Sequence, residues 1–366
     1  MLIFNPRYDT IKRQTGLPGR DGRSAFCIRF ASEKRRPALS GIFRSMPGMT
    51  LKGGVRMAGS RGGTERRREM RNLGMMAGAA IILFFCMQML ISFVISATPL
   101  RGLYNESMTV RYACTCAASV LSIGLVFYLI RLLEGRLMGI RCPLPMRPDR
   151  WTPVILAIPA GFALCLSANY VSALVGMLTE TVGVELTQPE QLLPTDPAGV
   201  IVYIISMVVI PPLVEEFAIR GVVMQPLLRY GRGFAICASA AVFGLMHSNP
   251  KQMVFAFVSG LVIGYFTAST GSLLTGIGIH LMNNAFAVLS SYMVQHENVV
   301  GSALLMLGAI GIGISFLIAY LILFARSGGA REKVSGGRWR FFINIVFILA
   351  AALMLLNASQ YIQTAG

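Results

Sequence analysis

Residues 200–223, VIVYIISMVVIPPLVEEFAIRGVV, place two adjacent glutamates, Glu215 and Glu216, and one arginine, Arg220, inside a run that is otherwise apolar and long enough to span a bilayer. An ionisable side chain at bilayer depth costs roughly 2.5–3.5 kcal/mol on insertion scales, so a cluster of three must pair internally and face a polar cavity. A lipid-facing backbone must also satisfy its own hydrogen bonds, which leaves helices as the spanning element. The fold expected is an all-α polytopic membrane protein, a bundle of about eight to nine helices around a buried polar active-site cavity.

Composition agrees: 54% of the 366 residues are hydrophobic and 13% are charged, too little charge to coat a soluble domain of this length. Apolar runs near spanning length fall at 75–98, 112–130, 152–177, 198–222, 233–249, 252–268, 272–294, 300–325 and 341–358. The linker between the second and third runs carries Arg131, Arg136, Arg141, Arg147 and Arg150. The next linker, Leu178 to Pro197, carries Glu180, Glu185, Glu190 and Asp196 and no Lys or Arg. By the positive-inside rule the first is cytoplasmic and the second external. Alternation then puts Arg229, Arg232 and the cluster Arg326, Arg331, Lys333, Arg338 and Arg340 inside, with Lys251 outside, the N-terminus in and the C-terminus out. If either short helix beside Lys251 is re-entrant, the C-terminus changes side.

Much of the net charge of +17 lies in residues 1–74, with Lys34, Arg35, Arg36, Arg66, Arg67 and Arg68 among Gly, Pro and Ser. That composition predicts a disordered basic cytoplasmic arm, followed by a transmembrane domain at 75–358 and a short tail at 359–366. Such an arm suits anionic lipid, while nucleic-acid binding is the rival reading and a later start at Met57 or Met70 a third. No cleavable signal peptide is expected, because the first apolar run begins late. The seven cysteines, Cys27, Cys86, Cys114, Cys116, Cys142, Cys165 and Cys237, show no disulfide framework and read as small packing residues. There is no P-loop, GxGxxG after a strand, HExxH or internal repeat, and Gly276 and Gly278 read as close helix packing.

Of three histidines, His247 and His280 lie in apolar helices after the glutamate pair and His296 in a loop. On a helix Glu216 and Arg220 are i and i+4 and can pair, whereas Glu215 is about 100° away and is left for chemistry. Phe243 and His247 share a face by the same spacing, as do His280 and Asn284, with Asn283 directed elsewhere. Pro211 and Pro212 remove amide donors and free carbonyls near Met207 and Val208, which requires a polar cavity beside them. A carboxylate and an imidazole converging on one water form a general-base pair, and a second His with an Asn amide can donate to the oxygen that becomes negative during amide hydrolysis. The same Glu215, His247 and His280 could instead ligate zinc with an open water position.

Glu215-Glu216-Phe-Ala-Ile-Arg220-Gly221, Phe243-x-x-x-His247 and His280-x-x-x-Asn284, in that order on successive segments, resemble the EExxxR, FxxxH and HxxxN/B motifs of the CAAX prenyl endopeptidase and bacteriocin-processing family, also called Abi. The resemblance covers about residues 150–294. It implies an α-helical intramembrane endopeptidase in which Glu215 with His247 activates water, His280 and Asn284 stabilise the oxyanion, and Glu216, Arg220 and Phe243 support them. It favours a glutamate-type mechanism with no cofactor over zinc. The expected partners are a peptide or protein substrate, lipidated or membrane-associated, and the bilayer of a prokaryotic plasma membrane, with no nucleic acid. Two other classes compete. An ion- or proton-coupled transporter would use buried Glu and His as relay groups and would show inverted repeats, whereas an immunity or scaffold protein of the same fold would gain nothing from the intact motifs.

Overall fold

The computed structural model describes residues 63–187, 193–324 and 337–364. The basic arm up to residue 62, Cys27, Glu190, Arg326, Arg331 and Lys333 lie outside the described residues. The helices are α1 (Gly63–Ala97), the short α2 (Leu100–Glu106), α3 (Met108–Leu137), α4 (Trp151–Glu180), α5 (Pro197–Tyr230), α6 (Arg232–Met246), α7 (Pro250–Thr270), α8 (Leu273–Gln295), α9 (Val299–Phe324) and α10 (Ile345–Ala358). Among the described residues seven of these are long and apolar enough to cross a membrane, and α6 and α10 are shorter apolar helices. The chain is a polytopic all-α membrane protein. Its outer surface is apolar, with Leu304, Leu307 and Ile322 all more than three-fifths exposed.

Several boundaries differ from the periodicity. Helix α1 begins at Gly63, so residues 63–74 are helical and not part of a disordered arm. Glu and Arg are good helix formers, and Glu69 is ion-paired to Arg229 on α5 at 2.9 Å, which ties these polar turns to the bundle. Helix α5 continues past residue 222 to Tyr230. Glu215 therefore lies as far from the α5–α6 turn as His247 does, about 22 Å at 1.5 Å per residue. The sequence boundaries had put Glu215 nearer that end of the bundle than His247.

Caps set the turns. The Asp196 carboxylate accepts from Gly199 N at 2.6 Å with Pro197 opening α5. Gly271, with φ +65°, ends α7 in the left-handed conformation, and Ser272 caps α8. The α6–α7 joint is a tight hairpin: Ser248 has φ +51°, the Asn249 side chain accepts from Gln252 N, and Pro250 starts α7.

The tail is not free. Val184–Leu186 (β1) pairs antiparallel with Ile362–Thr364 (β2), Glu185 opposite Gln363. The end of α4 and the end of α10 therefore share one face.

Two apolar clusters form the interior. One joins Leu73, Ile81, Phe127, Ile219, Met224, Phe243 and Phe347; the other joins Ala157, Cys165, Ile263, Phe266, Ile279 and Tyr320. Among the described residues the cysteines are free thiols. Of the charged residues of α5, Glu216 and Arg220 meet His280 of α8, Gly260 of α7 and Phe243 of α6.

Candidate active site

Helix α5 is irregular where it carries the acids. Residues Ile205–Val209 and Phe217–Met224 are π-helical, flanking the α-helical turn Ile210–Glu216. Such bulges mark sites where a helix re-aims its side chains. Pro211 has no N–H for the carbonyl four residues earlier, Met207, and the Asn284 side-chain amide donates to that carbonyl at 3.0 Å. The proline-freed acceptor is thus satisfied by a residue of α8, 77 positions away in sequence.

The ion pair expected from spacing is present. Arg220 Nη1 donates to Glu216 Oε1 at 2.8 Å, and both side chains are fully buried. Arg220 Nη2 donates to the Gly260 carbonyl on α7 at 3.1 Å, and its guanidinium lies 4.9 Å from the centre of the Phe243 ring. A third partner was not legible in the spacing. His280 Nδ1 lies 3.0 Å from Glu216 Oε1, and His280 Nε2 lies 3.7 Å from Glu215 Oε2. An ionised carboxylate only accepts, so Nδ1–H donates to Glu216 and Nε2 is turned toward Glu215. Phe243 is the common wall, its ring edge-to-face with His247 at 4.8 Å and with His280 at 5.8 Å.

Helix α8 approaches without a side chain at the critical point. A Cβ on Gly276 would lie 2.7 Å from Glu216 Oε2 and 2.6 Å from Thr267 Oγ1. Both oxygens are buried without a hydrogen-bond partner among the described residues. Gly276 is therefore a site residue, whereas Gly278 packs on Ile158 as ordinary helix contact.

His247 is the C-cap of α6, and its Nδ1 is 2.8 Å from the Phe243 carbonyl. A carbonyl only accepts, so Nδ1 carries the proton and Nε2 of the neutral ring is an acceptor. Among the described residues His247 forms no hydrogen bond or ion pair with Glu215. The structure thus gathers Glu215, Glu216, Arg220, Phe243 and His280 in direct contact, places His247 against the same aromatic wall, and commits one amide N–H of Asn284 to Met207. Asn284 does not point away from its neighbour: Asn283 and Asn284 both line a cavity of about 690 Å³, with Asn169, Ser172, Lys251 and Gln252. Adjacent helical residues diverge by only about 100°, and a cavity this wide takes in both. No three His, Cys, Asp or Glu side chains among the described residues are grouped as a metal-ligand set.

Against this geometry, residues 197–286 match the model of a known family, type II CAAX prenyl endopeptidase Rce1-like. The chain carries an Rce1-like segment. It covers α5 to the middle of α8, the four helices that carry Glu215, Glu216, Arg220, Phe243, His247, His280 and Asn284. The chain is also 26% identical over 136 residues to a Bacillus subtilis (strain 168) protein described as "Putative membrane peptidase YdiL", a similarity that covers 37% of this chain and 55% of that one. The chain therefore spans about half the length of this curated relative. No solved structure matches the chain. The Rce1-like segment leaves out α1 to α4, α9 and α10, although α4 and α9 bound the cavity beside Asn284.

Proposed function

We propose that the protein is an intramembrane endopeptidase of CAAX type that hydrolyses a peptide bond near the membrane surface. The observation that carries this reading is His280 held between two carboxylates, Nδ1 on Glu216 Oε1 and Nε2 facing Glu215 Oε2. A pair of adjacent glutamates is thereby made unequal. Glu216 is held through Oε1 by Arg220 and His280 and serves as the fixed counter-charge of the site. Among the described residues Glu215 forms one ion-pair contact, of 3.7 Å to His280, and its carboxylate is available to take a proton.

In the proposed reaction a water lies between Glu215 and the acceptor Nε2 of His247. Glu215 removes its proton, the resulting hydroxide adds to the substrate carbonyl carbon, and the C=O pair moves onto oxygen. His280 as imidazolium offers Nε2–H, and Asn284 its second amide N–H, to that oxyanion. Collapse expels the amine, which takes the proton back from Glu215, and water is consumed once per bond. Substrate is a peptide or protein that is lipidated or otherwise membrane-associated, in a prokaryotic plasma membrane with the arginine-rich linkers cytoplasmic.

The test is cleavage of prenylated and unprenylated peptides by protein purified in detergent, with and without a strong chelator. Cleavage that persists under chelation supports the glutamate-type reading. Stoichiometric zinc, with activity lost on chelation and restored by metal, would replace it with a metal site at Glu215, His247 and His280.

A further inference from the structure

A second cavity, about 340 Å³, lies where α3 leaves its apolar span. It is bounded by Arg131 to Arg136 of α3, by Ile140 to Cys142 of the following linker, and by Gly221, Val222 and Pro226 of α5. That linker folds inward. Pro145 O accepts from Leu273 N at 2.8 Å, Met146 O accepts from Ser272 Oγ at 3.2 Å, and the Leu144 side chain lies 2.8 Å from where a Cβ on Gly221 would stand. Irregular backbone held against spanning helices is tolerated where protein buries it or where it lines a polar cavity. Here it does both.

Three guanidinium groups line this space: Arg131, Arg136 and Arg141. Among the described residues none of them is ion-paired to a carboxylate. Arg131 spends one N–H on the Cys142 carbonyl at 2.8 Å, which pins the linker and leaves its other donors available. The one acid in the lining is Glu134, itself 6% exposed, so the cavity holds at least two more positive charges than negative. Uncompensated like charges around a shared, half-open space repel one another and attract an anion. The planar guanidinium fork matches the paired oxygens of a phosphate better than any other side chain does. The volume suits a small ligand. The remaining wall, including Leu132, Ile140 and Val222, is apolar, and on the other side of Arg131 the apolar span of α3 begins with Leu129 and Tyr128, both about half exposed, on the acyl side. An occupant with a phosphate at one end and hydrocarbon at the other satisfies both halves of the lining.

We infer that this cavity is a phosphate-binding site and that the phosphodiester head group of an anionic phospholipid fills it. Occupancy clamps the linker onto α5 at Gly221, the residue after Arg220. The site stands on these charges and contacts alone, independently of the proteolytic reading.

The experiment uses the full chain in uncharged detergent, titrated with mixed micelles of phosphatidylglycerol or phosphatidylcholine and, separately, with inorganic phosphate, reading thermal unfolding and bound lipid by native mass spectrometry. Phosphatidylglycerol should raise Tm saturably and remain bound, and phosphatidylcholine should do neither. Arg136→Gln and Arg141→Gln, both at exposed positions, should each weaken binding about fivefold, the usual worth of one basic residue against an anionic lipid. Arg150→Gln, an exposed charge of the same linker outside the cavity, should leave binding unchanged. Equal weakening by all three substitutions, or no saturable binding of either phosphate source, would overturn the site. A shift produced by inorganic phosphate at concentrations equal to or below those of the lipid would uphold the phosphate site and reject the lipid as its source.

Discussion

The adjacent glutamates should fail in opposite ways when each is changed to glutamine. Glu216 accepts from Arg220 at 2.8 Å and from His280 at 3.0 Å with its side chain fully buried. Removing one partner of a buried pair strands the other charge, at about 3–5 kcal/mol. At about 2 °C per kcal/mol for a chain of this size, Glu216→Gln should lower Tm by about 6–10 °C. Among the described residues the one ion-pair contact of Glu215 is 3.7 Å, beyond good hydrogen-bond length, so Glu215→Gln should cost about 1 kcal/mol or less in stability. Its cost falls on the rate, about 100- to 10,000-fold for loss of a general base. Thermal unfolding in detergent and peptide cleavage on the same preparations separate the two losses. A further variant, Glu216→Leu with Arg220→Met, should regain part of the lost stability, because it removes both charges and leaves neither stranded. A Glu215→Gln protein that cleaves at the wild-type rate, or a Glu216→Gln protein as stable as wild type, would refute the division of labour.

Gly276→Ala should lower stability by about 1–3 kcal/mol and reduce cleavage, because its Cβ meets Glu216 Oε2 at 2.7 Å. Gly278→Ala meets Ile158 at a similar 2.6 Å but touches no charged group, so its rate should be spared; equal loss in both would show that crowding alone matters. Cysteines placed at Glu185 and at Gln363, which are strand partners, should label from the same side of intact cells, and one placed at Arg150 from the other. Label reaching the cysteine at Arg150 from outside would break the charge-based orientation, and label reaching only one of the other two would break the pairing. Cys142 tests the arginine cavity locally. Burial is the largest influence on its thiol and raises it above the ordinary value of 9.0, with Arg229 opposing. Since the thiolate is the nucleophile, alkylation of a protein whose sole cysteine is Cys142 should still be accelerating with pH beyond that value, and a rate that plateaus below pH 9 would show the thiol to be better solvated than the structure has it.

Local order was legible in the sequence because it depends on helical periodicity. Among the described residues, apolar run length located the main helices to within a few residues of most ends. The i, i+4 rule found the Glu216–Arg220 pair, since a helix brings those two together whatever surrounds it. The same rule put Phe243 beside His247, and proline chemistry pointed to the free Met207 carbonyl. Packing decided the rest. His280 reaches Glu216 across 64 residues and Asn284 reaches Met207 across 77, and no spacing rule relates positions on different helices. Gly276 looked like any packing glycine until α8 was laid against a carboxylate. The ion pair that ties residues 63–74 to a distant helix was not legible in their composition, and the inward fold of the basic linker depended on Gly221 leaving room for Leu144. Periodicity is a property of one segment, readable from its residues alone. Which face of one segment meets which face of another is settled by the free energy of the whole bundle, and that is where the two glutamates acquire different partners.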